Sequence, residues 1–500
     1  MFRKLLLTAI AVLLLHPLWA NNLRITAPAA SSNTLSFAIG WDNSWNLTET
    51  AAPFNKDAVW LFAKARRTGS GEWFHLPLKQ QSFQSSCSTV LEVNVTEDGK
   101  GAFISLTEQG AFSINNCRIE LQADTSLSLE EFDIRIFGIE MVYIPEGRFY
   151  LGDAASKYSF ADAATLAPYS VSSENELPVN SDNGLTALAD NKPAAGIPAA
   201  YPKGYGAFYA MKYEISQEQF VDFLNTLSVA QQAYHLAVPP TSPVGTFALA
   251  PYEQNRSGIA IQYPASGEVP AVLALNGNKN EIFNETDDAA TRAANFLNWE
   301  NVAAYLDWAA LRPMTELEFE KISRGPESPL EKELAWGTAQ AINANTVVEN
   351  GTPEERVTET AEAPFGLANY GGGQQEEFLQ GPLRSGFAAT ATTNRITAGS
   401  SYYGVMDISG NVWEAVVNTS MDGLVFQGIS GDGQLSAEGI ANQSSWPGPK
   451  GSGHRGGAWN SLISNDLSYE FRDLAISDRY YAFLPVSRRN TTGGRGVRTE

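Results

Sequence analysis

The chain has 500 residues, enough for two or three domains, and its 43% hydrophobic and 18% charged residues are those of a folded globular protein. With 42 Gly and 25 Pro it is rich in turns, which argues against a long helical bundle. A formal net charge of −21 repels phosphate backbones and excludes nucleic acid as a natural partner.

Residues 1–20 read as a secretory signal peptide: Arg3 and Lys4 precede the apolar run Leu5–Leu15, followed by Pro17 and the small residue Ala20. The run is shorter than the roughly 18 apolar residues a membrane span needs, and no later stretch approaches that length. No Cys follows Ala20 to accept a lipid. The mature chain is therefore expected to be soluble, without a transmembrane helix, and secreted or periplasmic; an uncleaved anchor is the alternative.

From residue 21 to residue 140 short strands are expected, at Thr34–Gly40, Val59–Ala65, Trp73–Pro77, Thr89–Val95, Ala102–Leu106, Cys117–Leu121 and Phe132–Ile139. Turn signals such as Asp98-Gly99 separate them, so this region reads as a β-sandwich of about seven strands. The only two cysteines, Cys87 and Cys117, lie in it. A disulfide between them closes a loop of about 30 residues and suits an exported protein; two buried thiols are the alternative. Trp41, Trp45, Trp60 and Trp73 also cluster here. They are explained most simply as core and strand-face residues, with a sugar-stacking platform as the second reading.

After Met141 the texture changes to sparse helices among Gly-, Asn- and Pro-rich loops, which puts the domain boundary near Glu140 and a second domain over residues 141–500. Residues Ala154–Pro202, Ser228–Asp288 and Gln340–Ala363 look like surface insertions. Ser216 with Gln219 forms a capping box ahead of an apolar stripe at Phe220, Phe223, Leu224 and Leu227. Thr315 with Glu318 repeats that signature, and Asn298–Leu311 is a third helix stopped by Pro313. The acidic residues of these helices are expected on solvated faces. His75, His235 and His454 are scattered without a ligand-like interval, so no histidine-bound metal centre is expected.

Seven blocks occur in order: Met141–Gly152, Phe208–Leu227, Leu297–Gly325, Ala335-Trp336-Gly337, Gly404–Glu414 (GVMDISGNVWE), Gly453–Asn460 (GHRGGAWN) and Gly494–Arg498 (GRGVR). Together they resemble the formylglycine-generating enzyme, or sulfatase-modifying factor, family over about 360 residues. The resemblance implies an α+β chain in which the β-sandwich precedes a C-type-lectin-like formylglycine-generating-enzyme domain with long loop insertions.

In the family's oxidases two cysteines near the C-terminus hold copper(I) and convert a sulfatase cysteine to formylglycine. Aligned on Gly456-Gly457, those cysteines fall at Ser461 and Asp466, and no cysteine follows Cys117. A hydroxyl and a carboxylate are hard ligands, so no copper is expected. The resemblance implies structural calcium through Asn411 and Glu414, and through Asn369, whose loop departs from the family pattern at Arg384-Ser385-Gly386-Phe387; local turn pairing is the plainer reading. It also puts Arg455 and Trp459, with Ser461 and Asp466, at a candidate groove for an extended peptide or a glycan, against a purely structural role for Arg455 and Trp459. Arg488, Arg489, Arg495 and Arg498 are expected in ion pairs.

Three functions follow as hypotheses. The first is an exported protein without copper oxidase activity, acting as a binding or structural module at the cell envelope, with an envelope protein as a partner. The second is a family enzyme with altered chemistry at Ser461 and Asp466, or with residual formylglycine-generating activity. The third is a component of a secretion or gliding apparatus.

Overall fold

The computed structural model describes residues 22–69, 72–87, 90–252, 254–372, 380–462 and 473–499. Residues 1–20, read above as a signal peptide, and Asp466 lie outside these residues.

Among the described residues, nine strands fill the N-terminal part: β1 (Arg24–Ser31), β2 (Thr34–Asn46), β3 (Asp57–Arg67), β4 (Phe74–Leu76), β5 (Leu78–Ser86), β6 (Leu91–Val95), β7 (Ala102–Leu106), β8 (Gly110–Ala123) and β9 (Phe132–Ile144). Strands β1, β2, β8 and β5 form one antiparallel sheet in that order. Its inward side chains, Leu35, Phe37, Ile39 and Trp41 of β2 and Ile114, Ile119 and Leu121 of β8, share a core with Val59, Leu61 and Ala63 of β3 and Ile104 and Leu106 of β7. Cys87 and Cys117 are joined as a disulfide, with Cys117 inside this core.

The second sheet has eight strands and does not stop at the N-terminal region. From one edge it runs Arg312–Pro313, Gly496–Arg498, Phe208–Met211, β9, β3, β7 and β6, with β4 also on β3. A boundary at Glu140 therefore falls inside β9, whose Glu140 faces Val59 and whose Met141 pairs with both Ala58 and Met211. The two regions share a sheet rather than a linker. Strand β3 is buried on both faces, as the centre of a sheet covered on both sides must be. Its odd residues face the first core, and Ala58, Trp60 and Phe62 face a larger one with Met141, Phe149, Tyr209 and Trp308.

Strands far outnumber helices in the remainder. Four helices, α1 (Gln217–Leu224), α2 (Val229–His235), α3 (Trp299–Trp308) and α4 (Glu316–Arg324), each begin at a capping box, formed by Ser216/Gln219, Ser228/Gln231, Asn298/Asn301 and Thr315/Glu318. No described helix is long and apolar enough to cross a membrane.

The segments expected as surface insertions are packed. Phe160, Val171, Leu185 and Ile197 from the first, and Leu249, Ile259, Ile261 and Leu273 from the second, sit in the larger core, while Ala344 of the third packs with Leu367 and Phe387. Their polar composition conceals a few well-spaced apolar residues that bury completely. The four tryptophans do not form one platform: Trp41 and Trp60 point into opposite cores, Trp73 lies between Arg66 and Arg135, and Trp45 is half-buried at a cleft.

Candidate functional site

The Gly-Gly turn sits over helix α4, and its geometry follows from the charges beneath it. Gly456 (φ +84°) and Gly457 (φ +78°) both hold left-handed backbone, and a Cβ on Gly456 would run into the Ile408 carbonyl oxygen. Just before them Arg455 ends a short strand, Ser452–Arg455, paired with Glu414–Val417. Its side chain is 0% exposed. The guanidinium donates to Glu320 Oε1 (2.9 Å) and the Ile476 carbonyl (2.5 Å), lies 3.4 Å from Glu316 Oε2, and stacks on Phe319. Arg455 is thus fully enclosed, and a ligand at the surface has no access to it.

The acidic residues of α4 are not on a solvated face. Glu316 takes Arg479 through both carboxylate oxygens (2.7 and 2.9 Å), Glu318 takes Arg312 (2.7 and 2.9 Å), and Glu320 takes Arg324 (3.1 Å) as well as Arg455. All three carboxylates are buried. Burial alone would raise the Glu316 pKa, but the Arg479 and Arg455 guanidiniums outweigh it and hold it below the usual carboxylate value. The pairs are bidentate or branched, the geometry in which buried charges find enough partners. Among the C-terminal arginines, Arg495 pairs with Glu414 and Arg498 with Asp98, as expected. Arg488 instead donates to the backbone of Phe296 and His235, and Arg489 to Ser487.

Trp459 is 4% exposed, donates from Nε1 to the Asn490 carbonyl (3.0 Å), and packs where Gly372 leaves room for its ring. The Ser461 hydroxyl accepts from the Ala458 N–H (3.1 Å) and donates to Asp473 Oδ2 (3.0 Å). Burial pushes the Asp473 carboxyl up to about 6, against the Ser461 hydrogen bond. Asp473, absent from the sequence reading, is thus the described acidic partner of Ser461.

Asn369, Asn411 and Glu414 do come close together, with two further acids, Glu214 and Asp407, that the sequence did not single out. Asn411 (φ +60°) accepts at Oδ1 from Asn369 Nδ2 (3.1 Å) and the Leu383 N–H (2.8 Å), and donates from Nδ2 to Glu214 (2.6 Å). Glu414 Oε1 receives Arg495 Nε at 2.5 Å. Asp407 belongs to the same buried group and accepts from the Gly386 N–H (2.5 Å). Burial first, then mutual repulsion, raises the pKa of Glu214, and burial pushes Asp407 up to about 6.

Two oxygens of this group, Asn369 Oδ1 and Glu414 Oε2, are buried without a hydrogen-bond partner among the described residues. The Asn411 oxygen already has two donors, and Arg495 supplies the positive charge at Glu414. Among the described residues no three His, Cys, Asp or Glu side chains are disposed to hold a metal ion. No local pattern signals Glu214, Glu320, Arg479 or Asp473 in the sequence; Glu214 lies within the Phe208–Leu227 block, but nothing there announces a partner some 200 residues away.

The class defined by this geometry is a β-rich protein whose Gly-Gly turn and Asn-x-x-Glu loop are buttressed by buried Arg–carboxylate pairs. Residues 135–480 match the family of the sulfatase-modifying factor enzyme 1-like domain, and the chain belongs to that family. No curated protein matches the chain. Among solved structures, it is similar to the Major Tropism Determinant U1 variant at 14% identity, covering 95% of this chain and 83% of that one, with a TM-score of 0.23. The I1 variant has 13% identity, 85% coverage of each chain and a TM-score of 0.25.

Proposed function

We propose that this protein is an exported member of the family that has no copper oxidase chemistry and works by binding at the cell envelope. The observation that carries this reading is the state of Ser461: the position of the first copper thiolate holds a hydroxyl engaged by Ala458 and Asp473, in a chain without cysteine after Cys117. Oxygen donors of this kind are poor ligands for copper(I), and no free cysteine stands in for the thiolates among the described residues. Export is supported by the leader at residues 1–20 and by the Cys87–Cys117 disulfide, which suits an oxidising compartment. The C-type-lectin-like arrangement of residues 141–500, and an envelope protein as a partner, are part of the same proposal.

Arg495 rather than calcium is proposed as the counter-charge at Glu414. A second reading, an enzyme with altered chemistry, draws on the Ser461–Asp473 hydrogen bond, in which a carboxyl pushed up to about 6 faces a hydroxyl.

One experiment separates the two. The mature protein is incubated with copper, oxygen and a sulfatase-type cysteine peptide, and the peptide is followed by mass spectrometry. An unmodified peptide and no stoichiometric copper are expected. Aldehyde formation that is lost in Ser461→Ala would overturn the binding reading and establish the enzyme.

A further inference from the structure

A cleft of about 500 Å³ opens where the end of β2 and the following loop meet residues 389–406. Its volume lies in the range of about 300–1,000 Å³ typical of small-ligand sites. Trp45, Tyr402 and Tyr403 supply aromatic wall, and Thr390 and Asn394 supply hydroxyl and amide groups.

The aromatic wall is held in place. Trp45 Nε1 donates to Asn55 Oδ1 (3.1 Å), and the buried Asn55 in turn donates to the Tyr403 carbonyl (2.7 Å), so one amide fixes both sides of the cleft. Gly404 (φ +95°) lies against the edge of the Trp45 indole, and a Cβ there would come within 3.2 Å of it. Tyr402 and Tyr403 meet edge to face at 5.0 Å. A surface prepared in this way loses little entropy when a ligand stacks on it.

The charge of the cleft is the more informative feature. The sequence has 55 acidic residues, yet no Asp or Glu is among the described residues that line it. Its two charged linings are Lys212 and Arg395. Lys212 is already neutralised by Glu140 (3.0 Å), with Asp57 at 3.9 Å, and its ammonium lies 5.0 Å from the Trp45 ring centre. Arg395 is exposed and donates to the Trp336 carbonyl (3.3 Å). A cationic ligand meets Arg395 here, with no carboxylate among the described lining residues to attract it. The cleft instead suits a ligand with apolar C–H faces for the aromatic wall, hydroxyls for Thr390 and Asn394, and a carboxylate for the Arg395 fork.

We propose that this cleft binds a carboxylate-bearing saccharide, with a sugar ring stacked on Trp45 and a uronate carboxylate held by Arg395. This rests on the reading of the protein as an envelope binding module. It adds the ligand class, and a site away from the Gly-Gly turn.

Calorimetry on the mature full-length chain tests it, with a tetragalacturonate, a neutral cellotetraose and an acidic tetraglutamate peptide as probes. The uronate is expected to bind, Arg395→Gln to weaken it by about tenfold or more, and Trp45→Ala to abolish it. Tyr402→Ala serves as a second stacking variant if Trp45→Ala melts early. Equal binding of the neutral sugar would overturn the carboxylate assignment, preference for the peptide would overturn the saccharide, and binding of none would overturn the site. The copper assay reads the parent proposal separately: an unmodified peptide there with no binding here removes the cleft alone.

Discussion

The two faces of strand β3 border two differently built regions. On one side, the core shared with β2, β7 and β8 is an aliphatic and aromatic contact in which alternate residues point inward. On the other side, beyond the larger core, the motif region is braced by Arg455, Arg479, Arg324 and Arg312 on the three carboxylates of α4. An alternating core specifies its partners by shape and tolerates exchange of one hydrophobic side chain for another. A buried charge network specifies its partners one by one, because each group left over is a charge without water. Irregular loops around the Gly-Gly turn offer few backbone ladders, and the charge pairs take over the task of fixing their positions.

The largest expected effect tests that contrast directly. Arg455→Met keeps much of the volume but leaves Glu320 Oε1 and part of Glu316 without their guanidinium, and it should destabilise by about 3–5 kcal/mol in urea unfolding. Leu121→Met in the first core should cost less than about 1.5 kcal/mol. Adding Glu320→Leu to Arg455→Met should recover part of the loss. Equal losses for the two single variants would break the distinction between the regions.

That contrast also explains what could be read in the sequence. Seven strands of the N-terminal region were legible because β2, β3, β6 to β9 and the short β4 carry the apolar spacing of half-buried or doubly buried strands. Strands β1 and β5 were not; β1 is largely exposed and its RITAPAAS sequence has no alternation to detect. Capping boxes identified α1 and α4 because Ser216 and Thr315 bond within three residues of themselves, and Pro313 marked the end of α3. Ser228 and Gln231 make the same box for α2, but the helix is one turn shorter than a clear periodic signal requires. The Arg479–Glu316 and Arg455–Glu320 pairs span 163 and 135 residues, and no spacing rule connects such positions. A helical glutamate looks the same in sequence whether water or an arginine faces it, so the solvated-face expectation for α4 failed where tertiary pairing decides.

A smaller effect is expected from pH. Burial pushes Asp222 on α1 up to about 7, helped by Glu218 and opposed by Arg135, and pushes Asp478 up to about 7. A carboxyl raised above its unfolded value of about 4 contributes stability that is complete below that value and is lost as pH rises through the folded value. Glu355 behaves oppositely: burial alone would raise it, but Arg292 and Arg256 hold it at about 2, so its contribution is present above about pH 4 and is lost as pH falls toward 2. Stability should therefore peak between about pH 4 and 5 and decline toward pH 8. Asp222→Asn should flatten the decline by on the order of 2 kcal/mol, discounted for partial exposure, and chemical unfolding at pH 5 and pH 8 reads it. A slope unchanged by this variant would assign the decline to other acids.

The smallest expected effect is a null that bears on how the Asn411 loop is held. If a divalent cation were the counter-charge for Glu414, calcium at 100 times its dissociation constant would add about 2.7 kcal/mol to stability. With Arg495 already bonded to Glu414 Oε1, and the Asn411 oxygen shared by two donors, an added cation finds Asn369 Oδ1 and Glu414 Oε2 as the unpartnered oxygens, far short of the about six to eight that calcium takes. Calcium from micromolar to millimolar should therefore leave the melting temperature of the mature protein unchanged, and chelation should do the same. Arg495→Gln provides the control. It leaves Glu414 beside Glu214 and Asp407 without that guanidinium, so the variant should melt earlier and should recover part of the loss in calcium if the cluster needs only positive charge. A calcium-dependent rise in the unsubstituted protein would instead show that the ion and Arg495 share the loop, and would move the Asn411 region from the internally paired to the metal-held class.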